Sequence, residues 1–111
     1  MIRSNRIRRQ AVKGRRIQTR AAARIRRGPA TLATHALAAG LGIREARTVA
    51  ASLRKAAVKL AVNGTVGVAY RKGRVRSCTR YTARQVAVIV LAYRPRRDLY
   101  KQAAARLALA A

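Results

Sequence analysis

His35, Glu45, Cys78 and Asp98 are the only histidine, glutamate, cysteine and aspartate in the chain. General acid–base catalysis needs two titratable groups within reach of one another. A zinc site needs three or four ligands at characteristic spacings. Here each candidate stands alone along the chain, and no glycine-rich phosphate loop with its lysine is present. The inventory points away from an enzyme, and it implies neither a metal nor a cofactor. His35 reads as a helix-face residue and Cys78 as an ordinary strand residue. A single cysteine permits no internal disulfide, so a reducing compartment is expected.

The side chains that can do chemistry here are arginines. The 111 residues carry 27 basic groups against 2 acidic ones, a formal charge of +25. Of the basic residues 22 are Arg and 5 are Lys. The guanidinium presents a planar fork that matches phosphate oxygens and the guanine edge. Self-repulsion on this scale opposes a compact state, and a dense polyanion relieves it. No apolar run approaches the roughly 18 residues of a membrane span. The expected setting is the cytoplasm, on a nucleoid, or the interior of a virion.

These groups need elements to hold them. Residues 1–28 read as an Arg-rich arm that orders on an anion. Ile17, Ala21 and Ile25 fall at helical spacing there, so residues 15–27 also suit a helix. Arg3, Arg6, Arg8, Arg9, Arg15 and Arg16 are its candidate phosphate contacts. Gly28-Pro29 marks a boundary, after which "TLATHALAA" (31–39) suits a short helix. In residues 43–62 Ala46, Val49, Ala50, Leu53, Ala57 and Leu60 trace one face at i, i+3, i+4, i+7 spacing, and Asn63-Gly64 reads as its stop. Val66, Val68 and Tyr70, then Val75, Ser77, Thr79 and Tyr81, alternate about a turn at Lys72-Gly73, which is hairpin chemistry. Thr82 with Gln85 forms a capping box for a helix over 83–93, although the β-branched run 86–91 also fits a strand. Residues 96–110 form an alanine-rich helix with Leu99, Ala103 and Leu107 aligned. It either covers the hairpin or pairs with a second copy.

Against this order of elements, "LAAGLGI" (37–43) resembles the turn of a helix-turn-helix, with Ala38 as the small packing residue and Gly42 closing the turn. "LRKAAVKLAVNGTVGVAYRKGRVRSCTRYT" (53–82) resembles the end of a recognition helix followed by a wing. Together residues 31–82 resemble the winged helix-turn-helix family of small prokaryotic, phage and plasmid DNA-binding regulators. The position six after Gly42 is Thr48, and the hydrophobic anchor Val49 comes one later. Either Gly40 makes the turn, or the turn is one residue longer; both keep the same inward face on the second helix. The resemblance implies a mainly α fold with a β-hairpin: a winged helix-turn-helix over 29–82, a basic arm before it, and a C-terminal helical segment over 83–111.

At about 100° per residue, Arg44, Thr48, Ala51 and Lys55 lie opposite the inward stripe, with Arg47 and Ser52 flanking. Long donors near the start of a helix and small residues further along suit approach to a major groove. The hairpin adds Arg71, Lys72, Arg74 and Arg76. The expectation is a duplex-DNA-binding protein, a transcriptional regulator or similar factor, with helix 43–62 in the major groove and the hairpin as wing. An RNA-binding or ribonucleoprotein component, with Tyr70 and Tyr81 available to stack, and a DNA-condensing protein that reads no sequence are the alternatives. A homodimer is compatible with each of these readings.

Overall fold

The computed structural model describes residues 2–110. Among these residues the chain is mainly helical with one antiparallel hairpin: α1 (Ile2–Arg26), α2 (Leu32–Ala38), α3 (Ile43–Lys59), β1 (Thr65–Arg71), β2 (Arg74–Arg80), α4 (Ala83–Val90) and α5 (Asp98–Leu109). No helix there is long and apolar enough to cross a membrane.

In the arm read over 1–28, the helix considered over 15–27 is present and extends further, over Ile2–Arg26. Its apolar stripe is too thin to hold a helix alone, but its C-terminal half does not stand alone. That half packs on α2, burying Ala21, and Gln18 Nε2 donates to the Leu41 carbonyl at 3.4 Å. Gly28-Pro29 falls in the break between α1 and α2, and the two helices pack on each other across it. Residues 4–13 of α1 are exposed.

Thr31 caps α2, its hydroxyl accepting from the Thr34 amide. The turn to α3 is made by Gly40, whose φ of +97° lies in the left-handed region. Gly40 N–H bonds to the Leu37 carbonyl and Leu41 N–H to the Ala36 carbonyl, the paired bonds of a Schellman stop. Leu41, 1 % exposed, then turns back into the core. Gly42 has an extended backbone and serves as the N-cap of α3. Of the two possible turn residues, Gly40 is therefore the one the backbone needs.

On α3 the inward stripe is Ala46, Val49, Ala50, Leu53, Ala56 and Ala57. Leu60, expected on that stripe, is exposed, because the helix ends at Lys59. Its stop is not Asn63-Gly64. Ala61 takes the left-handed position, at φ 54°, with Ala61 N–H bonding to the Val58 carbonyl and Val62 N–H to the Ala57 carbonyl. A non-glycine residue there costs about 1–2 kcal/mol.

The hairpin pairs Thr65 with Arg80 through Arg71 with Arg74. Lys72 and Gly73 both have positive φ, the two-residue turn whose twist matches that of paired strands. The hairpin base is tied to the helices. Ala30 and Tyr81 exchange both backbone hydrogen bonds, at 2.9 and 2.8 Å. Buried His35 Nε2 donates to the same Tyr81 carbonyl at 2.7 Å. Gln85 Nε2 donates to the Asn63 carbonyl at 2.9 Å.

Thr82 and Gln85 form the reciprocal capping box expected of them, and α4 is helical where a strand was the alternative. It ends at Val90, short of residue 93. Helix α5 packs on α4 and α2 rather than on the hairpin. It buries Ala103, Ala104 and Leu107, while Leu99, expected in line with them, is exposed. Arg106 reaches back from α5 and donates to the Ala39 carbonyl at 2.8 Å. The guanidinium sits where a Cβ at Gly40 would stand. The core is aliphatic, with Leu41, Leu53, Ile89, Val49 and Val86 fully enclosed, and His35 is buried as well. Each such aliphatic side chain contributes about 1.5–3 kcal/mol.

Candidate nucleic-acid interface

The buried stripe of α3 fixes which of its side chains face solvent. Arg44, Arg47, Thr48, Ala51 and Lys55 are exposed, and Ser52 is half-buried. Thr48 Oγ1 donates to the Arg44 carbonyl and Ser52 Oγ to the Thr48 carbonyl, one turn back in each case. Their hydroxyl protons are thus engaged with the helix, and the outward surface they offer is small and accepting.

The hairpin has two unlike faces. The register puts Val66, Val68, Tyr70, Val75, Ser77 and Thr79 on one, and all six carry no charge. The other carries Gly67, Ala69, Cys78, Arg74, Arg76 and Arg80. Arg80 lies across Gly67 and donates to the Val68 carbonyl at 3.4 Å. Tyr70 is 79 % exposed. Tyr81, the other tyrosine expected to be free for stacking, is buried at the hairpin base, where the bridge to Ala30 and the core enclose it.

The basic hairpin residues come together with α3. Arg47, Lys72, Arg74 and Arg76 line one open cleft of about 580 Å³. Four cations from segments more than twenty residues apart in the chain therefore converge on one concave surface. Arg44 sits apart from this cleft, over a groove of about 320 Å³ between α1 and the start of α3. Lys13, Ile17, Leu41 and Glu45 also line that groove. Lys13 was not among the residues singled out from sequence; only the docking of α1 places it opposite Arg44. Lys55 is exposed but does not line the cleft.

The arm residues form a separate group. Arg6, Arg8, Arg9, Arg15 and Arg16 are exposed on α1; Arg8, Arg9 and Arg16 share one surface depression with Lys13 and Arg20. The side chains of Arg3 and Arg71 lie outside the described residues.

His35 is 2 % exposed. Burial holds its imidazole below the ordinary value of 6.5, with the backbone bonds at Tyr81 and Ala30 opposing in part. In the neutral ring Nε2 carries the proton given to Tyr81, so the group is a clamp for the hairpin base.

Compared with protein-family models, characterised proteins and solved structures, the chain matches none.

Proposed function

We propose that this chain is a duplex-DNA-binding protein of winged helix-turn-helix architecture, with α3 in the major groove and the β1–β2 hairpin as its wing. The observation that carries the reading is the cleft in which Arg47 of α3 meets Lys72, Arg74 and Arg76 of the hairpin. A single exposed basic face is common on a solvated helix. Four cations on one concavity, built from two elements held in fixed relation, suit a phosphate backbone running between helix and wing. The short antiparallel bridge from Ala30, between α1 and α2 in sequence, to Tyr81 just after β2 supports the same architecture. It ties the base of the hairpin to the chain just before α2, as a wing anchored on the helices would be.

In this arrangement Arg47 and the hairpin cations hold phosphates. Arg44, Thr48 and Ser52 lie along the surface turned to the base edges, and Ala51 lets the helix approach closely. Glu45, in the first turn of α3, favours the helix dipole and stands where a cytosine amino group can be read.

The test is binding to a selected duplex, to random duplex and to structured RNA at one salt concentration. The proposal expects duplex DNA to win. It expects Arg44→Ala and Arg47→Ala to narrow the gap between selected and random duplex. Preference for RNA, or an equal loss on every duplex, overturns the groove-reading role of α3.

A further inference from the structure

The cationic charge of this protein is not gathered on one side. Helix α1 carries ten basic residues and no acidic one along its 25 residues. At about 1.5 Å per residue it is a rod of roughly 37 Å, close to one turn of duplex at about 34–36 Å. The side of α1 that carries Gln10, Gly14, Ile17 and Gln18 lines the groove against the α2–α3 turn. At about 100° per residue, Arg8, Arg9, Arg15, Arg16 and Arg20 fall on the other side of the helix. They are exposed and border two adjoining surface depressions there. Backbone packing runs from α1 to α2 and from α2 to α3. The basic side of α1 therefore faces away from the bundle on which α3 and the hairpin build their cleft.

Solvated like charges repel, and α1 sets Arg9 against Lys13, Arg16 against Arg20 and Arg20 against Arg24 at i, i+4, each pair unfavourable by a few tenths of a kcal/mol. No carboxylate on the helix offsets them. A rod of this length and charge is matched by a second polyanion of the same repeat. None of Arg8, Arg9, Arg15, Arg16 and Arg20 lines the α3–hairpin cleft.

We propose that α1 is a second duplex-binding face, so that one chain bridges two DNA duplexes. The inference rests on the reading of the cleft as the first duplex site. One duplex enters the cleft and is read by α3; the other lies along α1 through phosphate contacts alone and is bound without regard to sequence.

The experiment is capture. A bead-tethered duplex is saturated with the full chain, washed, and offered a free labelled duplex. A variant carrying Arg8→Gln, Arg9→Gln, Arg15→Gln, Arg16→Gln and Arg20→Gln is run beside it. Glutamine keeps similar helix propensity, and circular dichroism checks that the helix persists. Wild type is expected to capture the second duplex. The variant should bind a single duplex within about threefold of wild type, since none of the five residues lines the cleft and exposed charges off the contact surface are screened by salt. Its capture should fall at least about tenfold. Capture undiminished in the variant means that bridging runs through copies of the chain and overturns the inference. So does loss of single-duplex binding as severe as in a variant of the cleft, which places α1 on the first duplex. A wild type that binds one duplex through the cleft and never captures another defeats bridging and leaves the cleft reading standing. A cleft variant that still binds and reads the first duplex as wild type does defeats the cleft reading instead.

Discussion

Removing the four cations of the cleft should change the salt dependence of DNA binding by an amount that can be worked out beforehand. Each phosphate neutralised on a duplex contributes a slope of about −0.9 to log K against log salt. Arg47, Lys72, Arg74 and Arg76 line one cleft, so one phosphate apiece gives a combined slope of about −3.6. Between about 50 and 200 mM salt these contacts then account for a roughly 150-fold loss of affinity. The variant Arg47→Ala/Lys72→Ala/Arg74→Ala/Arg76→Ala should flatten the slope by about that 3.6, and each single change by about 0.9. All four positions are exposed, so the fold should survive, as circular dichroism can verify. Fluorescence anisotropy of a labelled duplex across the salt series reads the slope directly. Lys101→Ala, an exposed cation on α5, serves as the control and should change the slope by less than about 0.9. A quadruple variant whose slope matches wild type would refute the assignment of phosphates to this cleft, whatever happens to affinity at one salt concentration.

Three further outcomes concern the frame that holds the cleft. Because burial depresses the His35 pKa in the folded state, the unfolded chain takes up a proton first as pH falls below 6.5. Stability is therefore full above that pH and declines below it, by at most about 1.4 kcal/mol per pH unit; His35→Gln should remove this slope in urea titrations, and a wild type that gains stability on acidification contradicts the burial argument. Ala61→Gly should stabilise the protein by up to about 1 kcal/mol, since glycine relieves the left-handed strain and gives part of it back in unfolded-state entropy; a lower thermal midpoint would show that Ala61 is not strained. Thr82→Ala should destabilise by about 1 kcal/mol through loss of the capping box, and an unchanged denaturant midpoint would show that the box adds nothing to the fold.

What the sequence made legible was local. The capping box at Thr82 and Gln85, the Lys72-Gly73 turn and the inward stripe of α3 each depend on neighbours within a turn or two. Their chemistry is the same in any fold. What escaped it was decided by distant partners. The sequence allowed a helix only over 15–27, on a stripe too thin to fold alone; the helix over Ile2–Arg26 is anchored where Ala21 is buried and Gln18 meets Leu41. Gly40 and Gly42 serve a turn equally well on local grounds; Leu41 entering the core and Arg106 reaching Ala39 favour Gly40. The left-handed Ala61 that closes α3 after Lys59 contradicts propensity, and no residue nearby announces it. The sequence nominated Arg47 and the hairpin cations separately, on a helix face and on a turn. That they share one cleft follows from the ties at Tyr81, His35 and Asn63 that aim the hairpin.

The central claim is that α3 and the hairpin together hold duplex DNA. Backbone amide shifts measured by NMR on the full chain, titrated with duplex at moderate salt, test it most directly. The account predicts that the largest changes fall together on Arg44–Lys55 and on Lys72–Arg76, saturating at one common duplex concentration. Changes confined to α1 or α5, with both α3 and the hairpin tip silent at saturation, would contradict it.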